Sequence, residues 1–215
     1  MAILYYVDFS TADKEEILNQ YADKVDSERL SKITRTRDIT ARVRSLLAGY
    51  LLQRAVGGED VLDLQYVYKN QGKPYLKDYK NLYFNLSHSG TVVACLVSGQ
   101  EVGLDVQQYV TVKEGLAKRF FTKEECEMLE SVEGHTQYEQ LFFELWSIKE
   151  SYIKYTGQGM KQGIDTFTID KEKEQIKDHD ETVSYQVIKI DKLPEYAISA
   201  CMKQKEAIEI VEVCL

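Results

Sequence analysis

Three short stretches hold residues whose types and spacing could do chemistry. Val102-Gly103-Leu104-Asp105-Val106-Gln107 reads as a buried strand that projects an acid. Trp146-Ser147-Ile148-Lys149-Glu150-Ser151-Tyr152-Ile153-Lys154 reads as an amphipathic helix repeating Lys, Glu and Lys along one side. Asn85-Leu86-Ser87-His88-Ser89-Gly90 is a serine-rich segment with a histidine and a turn glycine. Together these side chains could supply ligands for a divalent metal, a clamp for phosphate and a general base.

Asp105 and Gln107 lie two apart on the expected strand, so their side chains share one face while Leu104 and Val106 turn to the core. Glu150 has Trp146, Ile153 and Lys154 among its three- and four-residue helical neighbours. A strand acid meeting a helix acid makes a hard-oxygen site suited to Mg²⁺, which needs few protein ligands when phosphates and waters complete its octahedron. The plainer alternative is an ordinary Glu150–Lys154 helix ion pair with Asp105 as a strand-end acid; spacing alone leaves both open. A serine nucleophile is rejected for Ser87-His88-Ser89, because adjacent residues of an extended segment face opposite ways and no GxSxG elbow is present. Hydroxyls, backbone N–H groups and an imidazole around a glycine suit contact with a phosphate, against a purely structural histidine as the alternative.

The elements that must position these residues follow from periodicity. Ile3 to Val7 reads as a strand, Ser10 as a cap for a helix near Asp13, and Asp26 or Ser27 as the cap of a second. Val43, Leu46, Leu47, Tyr50 and Leu51 recur at helical spacing, predicting a long helix from Asp38 to Val56 closed by Gly57-Gly58. Asn70-Gln71-Gly72 is a turn signal. Strands are expected at Leu82 to Asn85, Val92 to Val97 and Val102 to Val106, the last two joined as a hairpin through Ser98-Gly99-Gln100-Glu101. The second half replays this order. Helices are expected at Val112 to Phe121 and at Glu124 to Leu129 (Thr122 capping), then a long helix from Tyr138 to Tyr155. Strands follow at Thr166 to Ile169, Val183 to Ile190, Tyr196 to Met202 and Ile208 to Val213, the last two a hairpin across Lys203-Gln204-Lys205-Glu206. The expectation is an α+β fold of two similar, pseudo-two-fold lobes, residues 1–108 and 109–215, packed as one globular unit. Each lobe would set a long helix on a small antiparallel sheet, with the ligand site at the lobe interface.

Composition bounds the function. With 215 residues, 44% apolar and 29% charged, the chain can bury a substantial core. No apolar run is long enough for a membrane span, and the N-terminus lacks the features of a signal peptide, so a cytoplasmic protein is expected. Cys95, Cys126, Cys201 and Cys214 show no CxxC spacing and read as reduced thiols. The net charge of −8 argues against general nucleic-acid binding. Yet Arg29, Lys32, Arg35, Arg37, Arg42, Arg44 and Arg54 face only Asp38 within one stretch. That is either a solvated helix face or a local site for an anionic ligand.

The motifs, taken in order, resemble one family. Gly72-Lys73-Pro74-Tyr75, Phe84 through Gly90, Val102-Gly103-Leu104-Asp105-Val106, Arg119-Phe120-Phe121-Thr122-Lys123-Glu124-Glu125 and Leu145-Trp146-Ser147-Ile148-Lys149-Glu150-Ser151 through Lys154 to Gly157 are similar to those of the large, pseudo-dimeric 4′-phosphopantetheinyl transferases, which activate carrier domains of peptide and polyketide synthases. Gln158-Gly159 and Asp165-Thr166-Phe167 extend the likeness, which spans roughly residues 27 to 170; the C-terminal part matches in pattern only.

The resemblance implies Mg²⁺-dependent transfer of the phosphopantetheine arm from coenzyme A to a serine of an apo acyl or peptidyl carrier protein, with release of adenosine 3′,5′-bisphosphate. By the same resemblance Asp105 and Glu150 would hold the metal, Glu150 would serve as general base, and Lys154 would stabilise charge on the departing phosphate. Lys73, Ser87 and His88 would contact the coenzyme A phosphates, with Pro74 near the adenine. Arg44 and Ser45 fit the nucleotide-contacting helix, and Lys32 the 3′-phosphate. Gln107 stands where the family commonly has a second acid. Its amide oxygen can ligate the metal or hold its water with less charge, so weaker Mg²⁺ affinity and acceptance of Mn²⁺ are expected. Gln107 also motivates the alternative of a non-catalytic coenzyme A- or carrier-binding module. The duplication implies a working monomer, with no nucleic-acid or membrane partner.

Overall fold

The computed structural model describes residues 1–58, 60, 62–69, 72–159 and 162–215. Strand β1 (Ala2–Asp8) leads into helix α1 (Lys14–Tyr21), a 3-10 turn at Ala22–Lys24, helix α2 (Ser27–Thr34) and the long helix α3 (Ile39–Gly57). Strands β2 (Tyr66–Lys69), β3 (Lys73–Leu76), β4 (Tyr83–Ser89), β5 (Val92–Ser98) and β6 (Val102–Gln108) follow. Helices α4 (Ala117–Phe120), α5 (Lys123–Glu130) and α6 (His135–Thr156) precede strands β7 (Thr168–Asp170), β8 (Gln175–Asp178), β9 (Glu181–Val187), β10 (Tyr196–Met202) and β11 (Ile208–Glu212). The protein is thus α+β, with several sheets. The turn expected at Asn70-Gln71-Gly72 lies outside the described residues except for Gly72.

Helix starts follow capping chemistry. Asp13, Asp26 and Asp38 accept from the backbone N–H of Glu16, Arg29 and Ala41, each satisfying a donor that the first helical turn leaves unpaired. Ser10 does not cap α1, because its hydroxyl donates to Asp8 Oδ2. Thr122 and Glu125 form a reciprocal capping box at the start of α5.

The chain divides into two compact units. The first comprises Met1–Val67, Pro74–Gly99 and Glu206–Leu215. Its four-stranded sheet has the order β11-β1-β5-β4. Helix α3 packs on that sheet, burying Val43, Leu46, Leu47, Leu51 and Leu52 against Val7, Phe84, Val93 and Cys95. The sheet is not wholly antiparallel as expected: β11 runs parallel to β1, Leu4 opposite Ile210. The second unit comprises Tyr68–Lys73 and Gln100–Lys205. Its five-stranded antiparallel sheet has the order β6-β10-β9-β8-β7. Helix α6 lies across β6 and β10, burying Phe142, Leu145, Ile148 and Tyr152 against Phe167, Ile176, Tyr185 and Cys201.

Both expected hairpins are corrected. β5 pairs with β1 and β4, whereas β6 pairs with β10. β10 pairs with β6 and β9, whereas β11 pairs with β1. The physical reason lies in the strands rather than the links. All of Val92–Ser98 and most of Val102–Gln108 are buried, and β6 finds seven cross-strand partners on β10, from Tyr196↔Gln108 to Met202↔Val102. A short polar link reads alike whether it turns back or carries the chain into another sheet. The helix expected from Val112 to Phe121 shrinks to Ala117–Phe120, since Gly115 adopts φ +77° and Val112 N–H donates to Glu139 Oε1 instead.

Candidate active site

Gly103 allows a close approach of β6 to α6. A Cβ at that position would lie 1.9 Å from Ser151 O and 2.4 Å from Tyr155 N, both backbone atoms of α6. With only hydrogen there, α6 settles directly onto β6. Ser147 then donates from Oγ to Asp105 O at 3.3 Å. Ser147, Glu150, Ser151 and Lys154 share one helix face by their spacing, and that face is turned toward β6.

On this seam Asp105, 6% exposed, accepts at Oδ1 from Lys154 Nζ at 2.7 Å. Glu150, half-buried one turn before Lys154, feels both groups. Burial first, and then the negative charge of Asp105, push its carboxyl above the usual glutamate range, while Lys154 pulls it back. The two carboxylates expected from sequence to act together are therefore electrostatically coupled, and Lys154 acts on both. Gln107, two residues on from Asp105, donates from Nε2 to Gln108 O at 3.1 Å.

Behind this face α6 is held by a charge pair that sequence reading passed over. Lys149 and Glu125 are each 0% exposed and form an ion pair at 2.9 Å. The ammonium also donates to Ile164 O at 2.9 Å and Phe167 O at 2.7 Å, using all three of its N–H groups. Glu125 in turn accepts from Thr122 N and Ile169 N. Burial depresses the pKa of Lys149, and Glu125 offsets it. Such a pair persists in the interior only when its remaining hydrogen-bonding capacity is met, as it is here.

Lys73 is buried on β3 beside this seam. Its Nζ donates to Val102 O and Tyr155 O, each at 2.9 Å, and pairs with Glu101 Oε1 at 2.6 Å. These three partners engage its ammonium within the β6–α6 seam. Lys73 ties the start of β6 to the last turn of α6, where a cation also suits the helix C-terminus.

The remaining expected contacts lie in the first unit. Arg44 on α3 donates from Nε and Nη2 to Gly90 O, at 2.8 and 2.5 Å. This fixes the β4–β5 turn, where Gly90 has φ +55°, immediately after Ser87, His88 and Ser89. Ser87 is buried and His88 exposed on alternate faces of β4. Ser45 is half-buried on α3, Pro74 half-buried on β3, and Lys32 exposed on α2.

Asp105, Glu150 and Lys154 thus stand together on β6 and α6, and comparison with known proteins places the chain in a family. The model of the 4′-phosphopantetheinyl transferase superfamily matches residues 101–201, a span containing Asp105, Glu150 and Lys154. The chain is 29% identical over 204 residues to 4′-phosphopantetheinyl transferase psf-1 of Bacillus pumilus, covering 91% of this chain and 86% of that one. It is 33% identical over 165 residues to 4′-phosphopantetheinyl transferase gsp of Aneurinibacillus migulanus, covering 74% and 67%. With 4′-phosphopantetheinyl transferase Sfp of Bacillus subtilis it shares 33% identity over 129 residues, 59% of this chain and 57% of that relative. The chain belongs to the 4′-phosphopantetheinyl transferase superfamily and is a transferase enzyme of that type.

Proposed function

We propose that the enzyme transfers the 4′-phosphopantetheine arm of coenzyme A to a serine hydroxyl of an apo acyl or peptidyl carrier protein, with Mg²⁺, releasing adenosine 3′,5′-bisphosphate. The observation that carries this reading is the coupling of Asp105, Glu150 and Lys154 across β6 and α6.

The donor set suits the metal. Two coupled carboxylates repel one another, and a divalent cation relieves that repulsion. Among the described residues no three His, Cys, Asp or Glu side chains gather into a cage, which fits an ion that takes the rest of its shell from phosphate and water. Asp105 and Glu150 would hold it, with the Gln107 amide oxygen as a neutral third donor. When bound, Mg²⁺ neutralises charge on the pyrophosphate.

Serine is a poor nucleophile near neutral pH, and an anionic pyrophosphate repels its attack. Glu150, raised above the usual carboxyl range, is suited to accept the proton of the carrier hydroxyl as the O–P bond forms. Lys154 supplies positive charge to the phosphate oxygen that departs. In this reading Lys32, Arg44, Ser45, Lys73, Ser87 and His88 contact the phosphates and ribose of coenzyme A, and Pro74 lies near the adenine. A cytoplasmic monomer acting without nucleic acid or membrane completes it; no described helix is long and apolar enough to cross a membrane.

The test is to incubate the enzyme with coenzyme A, Mg²⁺ and several apo carriers and weigh the carriers. A carrier heavier by one phosphopantetheine arm supports transfer. Gln107 favours a second reading, a coenzyme A- or carrier-binding module without chemistry, in which the carriers are bound but unchanged.

A further inference from the structure

Three lysines of the second unit, Lys73, Lys149 and Lys154, differ in burial. Lys73 and Lys149 each hold three partners. Lys154 is 29% exposed along its side chain and carries its ammonium on a flexible stem to Asp105 Oδ1, at 2.7 Å. That oxygen belongs to the carboxylate assigned to the metal. An ammonium and a divalent cation compete for the same lone pairs, and two cations cannot sit together there without strong repulsion. The phosphate role of Lys154 also requires its ammonium to be elsewhere than on Asp105.

We propose that Lys154 holds the metal's place on Asp105 and yields it to the incoming divalent cation, so that its ammonium becomes available to the departing phosphate only in the metal-loaded site. This deepens the reading above and rests on it. The exchange moves one side chain and leaves the scaffold still: the Gly103 contact and the Ser147 hydrogen bond hold α6 on β6, and the Glu125–Lys149 pair holds its other side. Before the exchange the two carboxylates and Lys154 carry one net negative charge; afterwards the cation balances both carboxylates, and the lysine charge is free to act. The site is thereby protected from presenting a bare pair of carboxylates, or an idle catalytic ammonium, in the absence of metal.

The experiment uses the whole enzyme without coenzyme A. Mn²⁺ binding is followed by loss of the free-ion EPR signal in wild type and in Lys154→Met and Lys154→Gln, each checked for folding by thermal melt. Acetylation of Lys154 by an N-hydroxysuccinimide ester is followed in wild type by mass spectrometry, with and without saturating Mn²⁺. The variants are expected to bind Mn²⁺ about fivefold tighter, the effect of removing a partly exposed competing ion pair. Acetylation of Lys154 is expected to speed up several-fold with Mn²⁺ while buried Lys149 stays unreactive. Tighter binding without faster acetylation would mean that Lys154 merely repels the ion from where it sits, and would overturn the exchange. Equal or weaker Mn²⁺ binding in the variants would overturn it too. Absence of Mn²⁺ binding in every protein would remove the metal assignment beneath both readings, whereas a failed exchange with intact Mn²⁺ binding leaves that assignment standing.

Discussion

Lys154 Nζ sits 2.7 Å from Asp105 Oδ1, joining the last turn of helix α6 to the middle of strand β6. Because Asp105 also raises the pKa of Glu150, removing its charge acts on three residues at once. Asp105→Asn is expected to fold, to release Lys154, and to lower carrier modification by about 100-fold or more. Steady-state kinetics with a circular dichroism control measures this; a variant within a fewfold of wild type would contradict it.

Gln107→Glu should restore a full carboxylate beside Asp105. The Mg²⁺ concentration giving half-maximal rate is expected to fall several-fold, since a charged oxygen binds a hard cation more strongly than an amide. A Mg²⁺ titration of the initial rate checks it. No change in metal dependence would show that this side chain does not touch the metal.

Gly103→Ala should be severe for a residue gaining one methyl group. The new Cβ would meet Ser151 O, Tyr155 N and Tyr155 Cα at 1.9, 2.4 and 2.9 Å, all backbone atoms that cannot rotate away. A loss of about 3 kcal/mol is expected in denaturant unfolding, with weaker Mn²⁺ binding in the protein that remains folded.

Lys149→Met leaves Glu125 charged and buried, and should cost about 3–5 kcal/mol. The double variant Glu125→Leu with Lys149→Met removes both charges and should recover most of that loss. A double-mutant cycle of urea midpoints measures the coupling; additive effects would deny it.

Tyr152 donates its hydroxyl to Asp178 Oδ2 at 2.8 Å, and burial together with Asp178 pushes its pKa above the ordinary value of 10.0. A raised folded value means that its contribution is full below the unfolded value and is lost as pH rises through the folded one. Tyr152→Phe is therefore expected to be about 1 kcal/mol less stable at neutral pH, with the gap closing as unfolding is measured above pH about 10.

How much of this could be read from the chain depends on how local each feature is. Asp105 and Gln107 sharing a strand face, and Glu150 and Lys154 sharing a helix face, follow from periods of 2 and 3.6 within a few residues. The aspartate caps are equally local. The tip of Lys73 is not: its partners Val102 and Tyr155 come from distant segments, so a Gly-Lys-Pro motif alone could not say where the ammonium goes. Lys149 went unassigned for the same reason, because nothing near it marks Glu125 as its mate. The two hairpins misled because strand partners are chosen by burial over the whole sheet, and Ser98-Gly99-Gln100-Glu101 turns as readily as it crosses.

The most direct measurement is the mass of an apo carrier after incubation with coenzyme A, Mg²⁺ and either wild type, Asp105→Ala or Glu150→Ala. Wild type is expected to add one phosphopantetheine arm, and both variants, folded, are expected to leave the carrier unmodified. Wild type leaving every carrier tested unmodified, or both variants modifying a carrier at the wild-type rate, would contradict the assignment of chemistry to this pair of carboxylates.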